Sequence, residues 1–262
     1  LSSLFKCAVK FRGSSEIIVV DDGSTDNTYE VAWATINSKR RELAHIRAKV
    51  VRHTANLGKA EALRTGVNKA MGEYIAIVDA DTFLDPYSLT ELVDYMHATK
   101  TLATSGYIHP SDGLNERKLL VILQQLEYSQ GLGVLRRAEA LGNAITVVPG
   151  PMGLYRSEVL RQLLNEKQAK SVTEDLELTL EMQKKKMKIG YNDDARSTTV
   201  APTTLRWFWR QRLRWSIGWL HNQLEIHKDL LLHKRWLTLL LWYNLVPGFL
   251  GAALELIALL SM

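Results

Sequence analysis

Short apolar runs recur through the first hundred residues, and each ends in acidic or small polar residues. Glu16-Ile17-Ile18-Val19-Val20 leads into Asp21-Asp22-Gly23-Ser24, and Tyr74-Ile75-Ala76-Ile77-Val78 leads into Asp79-Ala80-Asp81. Unbroken runs of this length predict strands buried on both faces, the kind found in parallel sheets under helices. Gly23 permits a tight turn, Ser24 or Thr25 can cap a helix, and Thr28 to about Ser38 continues it. Lys49-Val50-Val51-Arg52-His53 predicts a third strand, followed by Asn56-Leu57-Gly58-Lys59-Ala60 and a helix to about Ala70. Residues 1–15 are weakly patterned. Strands alternating with helices give an α/β sheet with largely parallel pairing.

Carboxylates at the C-terminal tips of such strands face the crevice where open α/β sheets bind ligands. By strand alternation Asp79 and Asp81 leave on the same side. Two carboxylates that close repel unless something positive sits between them, and a hard divalent cation holding a diphosphate meets that need. The plain alternative is a pair of solvated turn residues ahead of a helix from Asp85 to about Thr99. Three other motifs fit poorly. Asp79 to Phe83 has the aspartate spacing of a phosphatase signature but the wrong residue at Phe83 and the wrong place in the chain. A calcium loop from Asp22 would carry Asn27 and Trp33 where Gly and Glu belong. Gly58-Lys59 lacks the rest of a P-loop.

The second half reads differently. A helical pattern from about Glu116 to Glu139 carries an apolar face of Leu119, Leu120, Leu123 and Leu126. Residues 144–156 hold Pro149, Gly150, Pro151 and Gly153 between apolar runs, which suits a loop whose backbone approaches a ligand. Thr173-Glu174-Asp175 precedes a helical stretch from Leu176 to about Lys186, and acidic residues at a helix start suit its dipole. Residues 206–215 hold four Arg and three Trp. That composition fits single-stranded nucleic acid or a membrane surface, and on a helix Gln211 and Arg214 share one side.

Composition changes the picture little. The 262 residues suffice for one large domain or two small ones, and 33 Lys+Arg against 28 Asp+Glu is too mild a balance to imply nucleic acid. Cys7 alone excludes a disulfide framework or a Cys-based zinc site and fits a reducing compartment. No signal-peptide pattern opens the sequence. Trp236 through Leu254 carries no charge, with apolar character to Leu260 past Glu255, enough to span a bilayer. Pro247-Gly248 would kink such a span. Lys228, Lys234 and Arg235 precede it, so the positive-inside rule places residues 1–235 in the cytosol.

Taken together, Val20-Asp21-Asp22-Gly23-Ser24, Asn56-Leu57-Gly58-Lys59, Asp79-Ala80-Asp81, Gly150-Pro151-Met152-Gly153, Thr173-Glu174-Asp175 and Gln211-x-x-Arg214-Trp215 resemble, in this order, the family 2 glycosyltransferases. The last motif is that of the processive members that make cellulose, chitin, hyaluronan and poly-N-acetylglucosamine. The resemblance covers residues 16–220 or thereabouts. It implies an inverting enzyme with the nucleotide-diphospho-sugar transferase (GT-A) fold, a mixed, mostly parallel sheet flanked by helices. By it Asp22, with Asp21, contacts the uracil, Lys59 belongs to the nucleotide loop, Asp79 lies near the ribose, and Asp81 with Asp79 binds Mg²⁺ or Mn²⁺. Asp175 is the general base; Glu174, Gln211, Arg214, Trp215, Gly150 and Pro151 form the acceptor and diphosphate site.

The resulting expectation is a catalytic domain over 1–202, an interfacial helix region over 203–235 and a transmembrane helix over 236–260. The partners are a UDP-sugar, probed first as UDP-N-acetylglucosamine, a β-linked polysaccharide acceptor and the lipid bilayer, with no nucleic acid. The location implied is the cell membrane with the catalytic domain cytosolic. Family members usually begin with another strand and helix and end in several membrane spans, so the sequence is expected to be part of a longer enzyme. A transferase of single sugars to lipid or protein, and a silent nucleotide-sugar-binding fragment, remain as alternatives.

Overall fold

The computed structural model describes residues 1–39, 46–113, 118–166, 171–232 and 236–246. Helix α1 (Ser2–Lys10) precedes β1 (Glu16–Asp21), α2 (Thr28–Lys39), β2 (Arg47–Arg52), α3 (Lys59–Lys69), β3 (Tyr74–Ile77) and β4 (Thr82–Leu84). Next come α4 (Ser88–Thr99), β5 (Ala103–Ser111), α5 (Leu119–Gln130), a π-helical turn (Gly131–Leu135) and α6 (Arg136–Leu141). The chain continues through β6 (Gly153–Arg156), α7 (Ser157–Glu166), α8 (Glu174–Lys184), β7 (Ile189–Val200), α9 (Leu205–His221) and α10 (Trp236–Tyr243).

The α/β expectation holds, but the pairing departs from it. Strands β1 and β2 pair in parallel, while β3, β6, β5, β7 and β4 form a second sheet in that order. Within this sheet only β5 and β7 run parallel; β3 with β6, β5 with β6, and β4 with β7 are antiparallel. The sheet is therefore mixed rather than mostly parallel. The reason is that β4, β6 and β7 enter between or beside strands that alternating βα units would have paired directly. Strand β3 is also not buried on both faces. Among the described residues it pairs only with β6, and it leaves Ala76 exposed, as an edge strand does.

Packing rather than pattern explains two elements that the sequence shows weakly. Helix α1 sinks Phe5, Cys7 and Ala8 and joins two core clusters through Leu4. The stretch from about Glu116 is split: α5 gives way to the π-helical turn at Gly131 and restarts at Arg136. Its leucine face points outward, with Leu119 71% exposed and Leu123 and Leu126 exposed as well, while Val121 and Gln124 are buried.

Helix α8 is the centrepiece of the second half. Leu178 and Met182 enter the main core, and Leu176 and Leu180, on the other side, enter a cluster with Leu230, Leu237 and Leu241. Apolar contacts on two opposite faces fix the helix about its own axis, and with it the acidic residues of its first turn. Residues 236–246 of the expected membrane span include α10, and no helix among the described residues is long and apolar enough to cross a membrane. Pro247, Gly248, Glu255 and the rest of that span lie outside the described residues, as do Lys234 and Arg235.

Candidate active site

The two acids at the tip of β1 have different surroundings. Asp21 is buried, 3% exposed, and meets the Arg52 Nε at 3.2 Å. It also accepts the Ser24 N–H at 3.3 Å. Asp22 turns toward the loop after β2. Its Oδ1 accepts the Leu57 N–H at 3.0 Å and its Oδ2 the Gly58 N–H at 2.7 Å. His53 Nδ1 lies 2.7 Å from the same carboxylate and its Nε2 lies 2.9 Å from the Thr65 hydroxyl. Burial disfavours the Asp22 charge, but these hydrogen bonds and His53 outweigh it and hold its pKa below the ordinary value. Gly23, with φ +70°, makes the approach possible: a Cβ there would lie 2.5 Å from the Ala55 carbonyl carbon.

Asp22 thus shapes the loop whose next residue enters the centre of the site. Lys59 Nζ lies 2.8 Å from Asp79 Oδ1 and 2.7 Å from Glu174 Oε1. Burial lowers the Lys59 pKa, yet the two carboxylates prevail and keep the amine protonated far above its usual range. One ammonium therefore ties the acid after β3 to the acid that opens α8.

Asp79 and Asp81 are not presented by strand alternation, because β3 ends at Ile77 and they occupy the turn before β4. The Thr82 N–H closes this turn on the Asp79 carbonyl at 3.0 Å. Asp79 faces Lys59, whereas Asp81 lies 3.4 Å from the Thr199 hydroxyl and 3.5 Å from that of Thr82. Those long contacts leave the exposed Asp81 carboxylate with spare acceptor capacity. Among the described residues no cluster of three or more His, Cys, Asp and Glu could hold a metal ion. A Mg²⁺ or Mn²⁺ ion still fits one or two carboxylates when substrate phosphates complete its shell.

Helix α8 holds the residues before β6 with one row of side chains. Asp175 Oδ2 accepts the Gly150 N–H at 3.1 Å, the Thr179 hydroxyl accepts the Val148 N–H at 2.8 Å, and Gln183 Nε2 donates to the Ile145 carbonyl at 2.9 Å. Residues 175, 179 and 183 are successive turns of one helix face. Burial, then the neighbouring Glu174 charge, push the Asp175 pKa up, against the pull of Lys59 and the Gly150 and Leu176 amides. A carboxylate with a raised pKa is suited to act as a general base. Gly150 is needed where it stands: a Cβ would lie 2.8 Å from Lys59 Nζ and 3.1 Å from Asp79 Oδ2. Pro151 follows in the turn closed by the Met152 N–H on the Pro149 carbonyl.

The predicted helix with Gln211, Arg214 and Trp215 is α9. Arg214 Nη1 donates to the Val172 carbonyl at 3.4 Å, next to the Thr173-Glu174-Asp175 segment. Gln211 is half-buried, and its Oε1 has no hydrogen-bond partner among the described residues. Trp215 stacks under the Arg212 guanidinium at 4.7 Å, and Phe208 meets the same guanidinium at 4.8 Å. The structure brings Lys59, Asp79, Gly150, Glu174 and Asp175 into direct contact. Asp21, Asp81 and Trp215 have their described partners elsewhere, in Arg52 and Ser24, in Thr82 and Thr199, and in Arg212 respectively. Sequence reasoning missed Arg212, which forms a bidentate pair with Glu127 at 2.5 and 2.7 Å, and Gly218 and Asn222. The signal for the last two was present: Arg214, Gly218 and Asn222 recur every four residues.

Comparison with known proteins gives the family and the fold. The family model described as "Glycosyl transferase family 2" matches residues 4–164. A "Poly-beta-1,6-N-acetyl-D-glucosamine synthase" of Staphylococcus epidermidis is 30% identical over 206 residues, covering 78% of this chain and 47% of the relative. One of the same name from Staphylococcus aureus is 28% identical over 214 residues, covering 80% and 48%. The chain spans about half the length of these curated relatives. Among solved structures, the mannosyltransferase PcManGT from Pyrobaculum calidifontis, in complex with GDP-Man and Mn²⁺, superposes with a TM-score of 0.60 at 21% identity, over 82% of this chain and 55% of that one. S. aureus TarS 1–349 in complex with UDP-GlcNAc gives 0.54 at 18% identity, over 95% and 69%. These two likenesses concern the fold, a nucleotide-sugar transferase fold with a mixed sheet.

Proposed function

We propose, from the premise that the chain belongs to glycosyl transferase family 2, that it transfers a sugar from a UDP-sugar to the growing end of a β-linked polysaccharide. UDP-N-acetylglucosamine is the donor to test first, given the names of the curated relatives and the ligand of TarS. The observation that carries this reading is Lys59 bridging Asp79 and Glu174, with Asp175 adjacent. The bridge joins the half of the site that would hold the donor to the half that would present the acceptor.

In this reading Asp22 orders the Leu57–Lys59 loop against the nucleotide, and Asp79 lies toward the ribose and diphosphate. An acceptor hydroxyl approaches along Gly150 and Pro151, with Trp215 as a platform and Gln211 and Arg214 around it. Asp175 takes the hydroxyl proton as that oxygen bonds to the anomeric carbon. The bond from that carbon to the diphosphate oxygen breaks, and the nucleoside diphosphate leaves with the electron pair. Such a base contributes on the order of 10²–10⁴-fold. A Mg²⁺ or Mn²⁺ ion held by Asp81, with Asp79, would neutralise diphosphate charge.

Membrane attachment is part of the proposal. On α9, Leu205, Trp209, Leu213 and Ile217 form an exposed row beside the exposed Arg206 and Arg210, and α5 turns Leu119, Leu123 and Leu126 outward. An apolar row flanked by arginines suits the surface of an anionic bilayer, in keeping with a cell-membrane location with the catalytic residues on the cytosolic side.

The test is incorporation of radiolabel from UDP-N-acetylglucosamine with Mg²⁺ or Mn²⁺, by the parent chain and by Asp175→Asn. A large product that disappears with EDTA and in the variant supports the reading. Label confined to a single-sugar lipid or protein adduct replaces the polymer with the simpler transfer. UDP binding without turnover for any UDP-sugar makes the chain a binding module, and equal turnover by Asp175→Asn removes Asp175 as the base.

A further inference from the structure

Helix α8 begins directly after Ser171-Val172-Thr173, and all three of those residues are gripped by one face of α9 and of the π-helical turn (Asn222–Ile226) that continues it. Arg214 Nη1 meets the Val172 carbonyl at 3.4 Å. One turn on, Gly218 packs so closely that a Cβ there would lie 2.3 Å from Thr173 Oγ1 and 2.4 Å from its Cγ2. One further turn on, the fully buried Asn222 donates through Nδ2 to the Ser171 hydroxyl at 2.8 Å and the Thr173 hydroxyl at 3.2 Å. The same Nδ2 donates to the Gly218 carbonyl at 2.9 Å, which locks the amide to its own helix. Ser171 and Thr173 hydroxyls lie 3.0 Å apart, and the Ser171 N–H donates to Glu177 Oε2 at 2.8 Å.

Gly218 and Asn222 act on Ser171 and Thr173 rather than on a reacting group, so neither is a catalytic residue. What they fix is the origin of α8. The Thr173 N-cap hydroxyl makes no capping bond to its own helix; it is engaged by Asn222 instead. A displacement of Thr173 is carried into Glu174 and Asp175, because they follow it in the chain and their contacts with Lys59 and Gly150 are short.

We infer that Asn222 and Gly218 are positioning residues that set Glu174 and Asp175 from α9, so that the acceptor side of the site and the base move as one unit. The inference rests on the reading of Asp175 as general base given above. It assigns α9 a second task on the face next to its exposed Leu205–Ile217 row. A geometric error of an ångström or less at a reacting group costs on the order of 10- to 100-fold in rate, whereas the donor side is read as resting on Asp22 and Asp79, and Lys59 keeps its Asp79 partner when Glu174 shifts.

The experiment compares the parent chain with Asn222→Leu, Gly218→Ala and Asp175→Asn. It reads kcat, the donor KM, UDP affinity by calorimetry, and hydrogen exchange of the α8 first-turn amides. Asn222→Leu keeps the side-chain size and removes the donor; Gly218→Ala keeps the amide and forces the elements apart. Expected is a fall in kcat of about 10- to 100-fold in both, with donor KM and UDP affinity near those of the parent. Exchange should accelerate over residues 174–177 and stay unchanged over 56–60. Unchanged kcat and unchanged exchange at 174–177 in a folded Asn222→Leu protein would overturn the inference. So would a matching loss of UDP affinity, which marks general damage. Undiminished turnover by Asp175→Asn refutes the base assignment instead, and the exchange result then judges the positioning by itself.

Discussion

Gly150→Ala tests the centre of the site with one methyl group. Gly150 does not require the left-handed region, so alanine can adopt its backbone conformation and the effect is steric. The new Cβ would lie 2.8 Å from Lys59 Nζ and 3.1 and 3.2 Å from the Asp79 carboxylate oxygens. Comfortable separation is about 3.5 Å, so these groups or the loop must shift by roughly 0.5 Å. The ammonium ends a flexible chain, but it is held at 2.8 Å by Asp79 and 2.7 Å by Glu174, so it cannot retreat without loosening one of them. The loop cannot retreat freely either, since the Gly150 N–H is bonded to Asp175 and the Val148 N–H to Thr179. Overpacking of this kind costs about 1–3 kcal/mol of stability, and a shift of that size at reacting groups costs on the order of 10- to 100-fold in rate. The assay is initial-rate transfer from the labelled donor, with thermal unfolding alongside. Transfer within about threefold of the parent, equivalent to less than about 1 kcal/mol, would refute the claim that Gly150 is where Lys59, Asp79 and Asp175 converge.

Gly58→Ala meets nothing within 4 Å but needs φ +92°, so it should cost about 1–3 kcal/mol through backbone strain, read as a lower melting temperature. Burial and the Glu174 charge raise the Asp175 pKa. The catalytic rate should therefore rise with pH through a value above the ordinary carboxylate pKa of about 3.9. A raised folded-state pKa also means that the ionised form destabilises the fold above that pKa. Asp175→Asn should thus melt higher than the parent at neutral pH, with the difference vanishing below the unfolded pKa; an unchanged melting profile counts against that burial. Asp22→Ala removes the acceptor of the Leu57 and Gly58 N–H groups, and should weaken UDP binding on the order of 10-fold or more by calorimetry. A double-mutant cycle on Arg212→Ala and Glu127→Ala should show a coupling of about 1 kcal/mol, and Arg212→Lys should not preserve it, because the two-bond fork and the stacking on Trp215 and Phe208 are specific to the guanidinium.

The elements legible in the sequence were those whose local signal agrees with their final surroundings. The β1 tip, the Asn56–Lys59 loop, the start of α8 and the course of α9 carry turn, charge or periodicity signals that packing respects, although the Thr28 N–H at the start of α2 donates to Asp26 rather than to Ser24 or Thr25. The order of the five-stranded sheet was not legible, because its central strands lack an apolar signature. Strand β5 buries Thr104 and Ser105, and β7 runs through Asn192, Asp193, Asp194 and Arg196. Small residues are placed there by close packing: a Cβ at Gly106 would lie 2.2 Å from both the Ala195 carbonyl oxygen and the Met152 methyl. The leucines of α5 misled in the opposite sense, since an apolar face reads as core-facing whatever its true neighbour is. Within the site, the acids were visible singly, but the Lys59 bridge between Asp79 and Glu174 joins residues far apart in the chain, and no local pattern reports it.

That bridge also bears on what the site must bind. Asp79, Glu174 and Asp175 lie around a single ammonium; the two carboxylates on Lys59 raise its pKa against the effect of burial, while burial first and the Glu174 charge second raise that of Asp175. A nucleoside diphosphate would add to this surplus of negative charge, and no second lysine or arginine pairs with these three acids among the described residues. Arg214 is directed to the Val172 carbonyl and Arg212 to Glu127. Placing a diphosphate beside Asp79 would therefore be unfavourable unless a cation arrives with it, and Asp81, bound by nothing stronger than two long hydroxyl contacts, is the carboxylate free to receive one. In the proposed reaction the same surplus would favour expulsion of the diphosphate once the sugar has left it. UDP affinity should consequently fall on chelation of divalent cations far more than on Asp175→Asn, which removes one negative charge; calorimetry with and without EDTA measures the first, and the reverse ranking would contradict this account of the site.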